Sequence, residues 1–176
     1  MISVAALAVL AACSNGAAPN AANNATPANT AAAPAGPSTP GTGTVSGTFT
    51  VDGKPATLAF VGAYKQDPID GKPVIAIVMS TLTQAGSTDA AAEAITTKFG
   101  TEVIVLDINP DGTFVEASVY NKDLKAHVIT MEGGITIKNF TSAGGTLSGE
   151  VTNNGPADAF GQKVNIDETF KVTAPT

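Results

Sequence analysis

Tryptophan and arginine are absent from this chain of 176 residues, and cysteine and histidine occur once each. With nine lysines against fifteen acidic residues and a net charge of −6, no basic patch is available to neutralise phosphates, which argues against nucleic-acid binding. The same balance argues against a purely electrostatic hold on anionic lipid. A single cysteine excludes an internal disulfide, and one histidine leaves a zinc site to carboxylates almost alone. Missing tryptophan removes the residue that usually builds a flat carbohydrate-binding row. No cofactor motif occurs, and no cofactor is expected. Charge is also missing locally: every charged side chain lies at or beyond Asp52.

What the uncharged N-terminus does contain is an apolar run, Ile2 to Ala12, ending in Leu10-Ala11-Ala12-Cys13. It is too short to cross about 30 Å of hydrocarbon as a helix. It has the form of the apolar core of a signal peptide, with small residues before the cut. The tetrapeptide resembles the lipobox of bacterial lipoproteins. That resemblance implies removal of residues 1–12 and lipidation of Cys13, which would hold the protein on a membrane of the cell envelope. Such signals begin with positive charge, so the start is expected a few residues upstream of Met1. In that family an Asp after the cysteine favours the inner membrane; Ser14 stands there, so the outer membrane is expected in a cell with two. Each buried methylene contributes about 0.8 kcal/mol, so two or three acyl chains make residence effectively permanent.

Residues 14–44 consist almost wholly of Ala, Asn, Pro, Thr, Gly and Ser. With almost no large side chains to offset chain entropy, residues 13–44 are expected to form a disordered tether. A flexible coil of that length spans about 30 Å. Residues 45–176 suit a single domain, which can bury roughly two-thirds of its unfolded surface and needs no disulfide or metal. A monomer is expected.

Period-two alternation dominates that domain. Gly47, Phe49 and Val51 alternate with Ser46, Thr48 and Thr50, and Asp52-Gly53 supplies a type I′ turn signal. Asp67 to Pro73 reads as a turn-rich break. Val74 to Leu82 is apolar on both faces at its start, which predicts a strand covered on both sides. Ser87-Thr88-Asp89 offers N-cap chemistry, and Ala90 to Phe99 is the one convincing helix, ending at Gly100. Further strands are predicted around 102–108, 113–120, 127–131, 135–140, 145–152 and 164–172. The expectation is a mainly β fold of about eight antiparallel strands and one short helix, curved into a barrel-like sheet or a sandwich.

Few residues carry chemistry. Asp107, Asn109 and Asp111, followed by Gly112, match the opening of a calcium loop, but its ninth and twelfth positions are Val115 and Ser118. An ordinary hairpin turn explains Asn-Pro-Asp-Gly better. Asp67 and Asp70 could pair as acid and base, yet they fall in a solvated turn. His127 could serve a hydrolase, although no Gly-x-Ser-x-Gly elbow accompanies it. Glu168 is the least expected residue, because parity places it on the apolar face with Val164, Ile166, Phe170 and Val172. A bulge at Asp167-Glu168 would turn it outward; otherwise it would be a polar anchor for a ligand. Residues 157–161 read as a loop carrying Phe160.

These readings lead to a lipid-anchored, non-enzymatic envelope protein whose β-domain binds a partner protein or envelope component. Two alternatives stand beside it. One is a barrel-type carrier or sensor of a small apolar ligand, with Glu168 as its polar contact; the other is a hydrolase using His127.

Overall fold

The computed structural model describes residues 41–84 and 100–176. The signal segment, Cys13, most of the tether and the helix expected at 90–99 lie outside the described residues. Within them the alternation becomes eleven strands and no helix. They are β1 (Gly41–Val51), β2 (Lys54–Ala56), β3 (Phe60–Ile69), β4 (Lys72–Ser80), β5 (Glu102–Ile108), β6 (Phe114–Asn121), β7 (Val128–Met131), β8 (Thr136–Ala143), β9 (Thr146–Thr152), β10 (Ala157–Ala159) and β11 (Gln162–Thr173). This exceeds the eight or so expected, chiefly because β2 and β10 are three-residue strands, too short to show a period of two. Residues 157–159, read from sequence as loop, thus pair with β11.

All pairings are antiparallel, in one curled sheet ordered β7-β6-β5-β4-β3-β1-β11-β9-β8, with β10 on β11 and β2 on β1. The strand β1 joins its two parts. Gly41 and Thr42 pair with β3, whereas Gly43 to Val51 pair with β11. Curling brings the inward residues of both parts into one core: Phe49, Val61, Ile77, Met79, Ile104, Leu106, Leu147, Ile166 and Phe170 belong to a single buried cluster. Tight turns make this possible. Asp52-Gly53 and Asp70-Gly71 each hold two consecutive residues at positive φ, the geometry whose twist matches flanking strands.

The strands β4 and β5 are buried on both faces, as the apolar run at Val74 predicts. Ala76, Val78, Val103 and Val105 form a second cluster with Tyr64 on the face opposite the core. The break expected at 67–73 is smaller than read: β3 continues to Ile69, with a register shift between Gln66 and Ile69. Proline cannot donate to a ladder and is tolerated at such irregularities, so Pro68 interrupts the pairing of β3 without ending the strand.

One end of the curl is closed by Gln162, which is buried. Its Nε2 donates to the Asp123 carbonyl at 2.8 Å and to Asp52 Oδ2 at 3.1 Å, while its Oε1 accepts from the Lys125 amide at 2.7 Å. The β6–β7 loop is thereby fastened to β1 and β11, and Leu124 is seated in the core. Gln162→Leu leaves the partly buried Lys125 amide and Asp123 carbonyl without this partner, so it should cost about 1 kcal/mol, read as a lower urea midpoint. A midpoint unchanged from wild type would refute this role.

Candidate functional site

The alternation of β11 is uninterrupted. Val164, Ile166, Glu168, Phe170 and Val172 are buried, while Lys163, Asp167, Thr169 and Lys171 are exposed. Register is continuous from Gly43↔Val172 to Val51↔Val164 on one side and from Asp167↔Thr152 to Thr173↔Thr146 on the other. The bulge expected at Asp167-Glu168 therefore does not occur. A one-residue slip there would turn Phe170 and Val172 into water, and keeping them inside carries Glu168 in with them.

Glu168 is 2 % exposed, and its Oε2 has no hydrogen-bond partner. It faces Gly47 on β1 and Val151 on β9. A Cβ placed on Gly47 would lie 2.7 Å from Oε2, so the carboxyl occupies space that a side chain on β1 would need. Burial disfavours the charged form and, with Asp167 acting in the same direction, pushes the Glu168 carboxyl up to about 7. Such an arrangement can take up or release a proton near neutrality.

The calcium-loop residues serve separate purposes. Asp107 lies on the face opposite the core and accepts from Gln66 Nε2 at 3.3 Å; burial, offset in part by Gln66, raises it to about 6. Asp111 is exposed, and its Oδ1 accepts the Thr113 amide at 2.9 Å. Backbone bonds from Asn109 to Thr113 and from Gly112 to Asn109, both 2.9 Å, close the hairpin. Phe140 of β8 packs over Gly112, where a Cβ would come within 2.3 Å of its ring. Among the described residues no three His, Cys, Asp or Glu side chains are grouped to hold a metal ion.

His127 is exposed at the end of the β6–β7 loop, at φ +60, with its amide donating to Leu124 and its carbonyl accepting from Asn121. Nearby lies a feature that sequence reading reduced to a loop. A pocket of about 290 Å³ is lined by Ile129, Thr130 and Met131 of β7 and by Ala157 to Phe160. The β7 strand ends the sheet and pairs on one side only, with β6. Phe160, at the tip of the β10–β11 hairpin, is 72 % exposed and held at φ +54. Asp158 fixes this hairpin by accepting from the Gly161 amide at 2.9 Å and from Lys163 at 3.0 Å. A left-handed backbone is unusual for an aromatic residue. The only cue in the sequence is Phe160-Gly161 between the short ladders, a turn dipeptide with an aromatic where Asn or Asp normally stands.

No protein-family model, curated protein or solved structure matches the chain.

Proposed function

We propose that this chain is a lipid-anchored protein of the bacterial cell envelope whose β-domain is a non-enzymatic binding module. Its partner is a protein that lays an extended segment along the open edge of β7. One observation carries this reading: Phe160 stands exposed and strained beside a pocket that flanks an unpaired strand edge. Strand edges present alternating N–H and C=O groups that an extended chain satisfies, with adjacent pockets choosing its side chains. An exposed aromatic at such a position supplies the anchor that dominates interface energies.

The carrier alternative has less support, because Phe49, Ile166 and Phe170, which flank Glu168 and Gly47 along β1 and β11, are fully buried in one packed cluster. The hydrolase alternative has less support because His127 is exposed, and a catalytic base is tuned by burial and a fixed partner.

A photo-crosslinker at Thr130 should trap a defined envelope protein, and Phe160→Ala should weaken that complex by about 2 kcal/mol, roughly 30-fold in Kd. A partner bound equally well by Phe160→Ala, or no reproducible adduct, would sink the binding reading. Mass spectrometry of cell-derived protein tests the anchor separately: a bare thiol at Cys13 would end that part of the proposal.

A further inference from the structure

Glu168 lies on β11 opposite Gly47, five residues along β1 from the Gly41 and Thr42 pairs that join the two parts of the sheet. On β1 opposite it, Gly43, Thr44, Ser46, Gly47 and Thr48 are exposed and only Val45 is half-buried, so this half of the strand is held mainly by its ladder to β11. Peeling it away exposes little apolar surface and gives the unpartnered carboxyl oxygen direct access to water. It also breaks the Gly41↔Ala63 and Thr42↔Gly62 pairs and frees the neighbouring edges of β3 and β11.

Among the described residues no counterion faces Glu168 to keep it inside when ionised. The strand β1 carries no charged residue. On β9 the one charged side chain is Glu150, which accepts from Asn139. On β11 itself, Lys163, Asp167 and Lys171 point to the exposed face, and Asp158 of β10 is engaged by Lys163. The strand β3, also packed on β11, carries Lys65 and Asp67. Of all these groups only Asp167 acts appreciably on Glu168, and it too disfavours the charge.

We propose that Glu168 is a proton-operated latch on the N-terminal half of β1, closed when the carboxyl is protonated inside the sheet and released when it ionises. Release separates residues 41–48 from β11 while the core of β4, β5 and β6 stays folded. The free edges of β3 and β11 then become available to another extended chain. The latch goes beyond the β7 groove and does not depend on it.

Amide hydrogen exchange of the full chain, expressed as protection factors, tests the latch. Protection of residues 43–48 and of their β11 partners should fall on the order of tenfold between about pH 5.5 and about pH 8.5, because the opened state releases the proton more readily. Protection across Glu102–Ile108, which is lost only when the whole domain unfolds, should stay above that of residues 43–48 at every pH. In Glu168→Gln the pH dependence at residues 43–48 should vanish; Glu168→Leu provides the same comparison should the glutamine variant fold poorly. Flat protection in wild type, an equal fall in the variants, or residues 43–48 opening no more easily than β5 would each overturn the proposal.

Discussion

Gly47→Ala is expected to destabilise the domain by about 4 kcal/mol, close to abolishing its folding, because the added carbon has nowhere to go. An ideal Cβ there lies 2.2 Å from the Asp167 carbonyl oxygen, 2.7 Å from Glu168 Cα and 2.7 Å from Glu168 Oε2. Two of these atoms are backbone of the paired strand, so β1 and β11 must separate locally to admit it. The φ of +150 at Gly47 adds backbone strain for any residue with a side chain. Urea denaturation monitored by circular dichroism checks the result, with Thr44→Ala on the same strand as the control. Thr44 is exposed, and its change should stay within about 0.5 kcal/mol. The double variant Gly47→Ala/Glu168→Ala relieves the contact with Oε2 but not those with backbone, so it should recover less than half of the loss. Full recovery would show that the side chain alone causes the effect. A single variant as stable as wild type would show that β1 and β11 have room for a side chain at this position.

Much of this architecture was legible in the residue pattern. Asp52-Gly53 marks its hairpin, Leu147 and Val151 mark the inward face of β9, and the apolar run from Val74 marks a strand covered on both sides. These signals survive because each rests on one local cause: a turn conformation, or a face that must leave water. Where two causes compete, local reading fails. At Glu168 the cost of burying a carboxyl argued for a bulge, but the register of Phe170 and Val172 outweighs it, and a single strand cannot reveal that balance. At Pro68 the turn chemistry is real, yet β4 holds β3 in its ladder past the proline. The groove beside β7 was invisible for a different reason. It is made by two strands that are not hydrogen-bonded to each other, and no spacing in the chain reports their approach.

The pH dependence of stability should show the same buried carboxyl from the thermodynamic side, with a magnitude second only to that of Gly47→Ala. Glu168 is raised from 4.5 to about 7 in the folded protein. The folded state therefore holds a proton that the unfolded chain has released, and stability falls as pH rises between those values. Below about 4.5 the full benefit of the protonated group is present; above about 7 it is gone, a difference of about 3 kcal/mol at 1.36 kcal/mol per unit. Asp107, raised from 3.8 to about 6, loses stability with rising pH in a lower window. Asp52, Asp111 and Asp158, each held below its ordinary value by backbone N–H bonds, act in the opposite sense and lose stability as pH drops through their folded values. The domain should thus be most stable at mildly acidic pH. Glu168→Leu should gain about 3 kcal/mol at pH 8, about 10 °C in Tm, and almost nothing at pH 4, since an apolar replacement of an unpaired buried charge is stabilising only where the charge exists. A variant less stable than wild type at pH 8, or one with the wild-type slope between pH 5 and 8, would mean that the Glu168 carboxyl finds water or a counterion without disturbing the sheet.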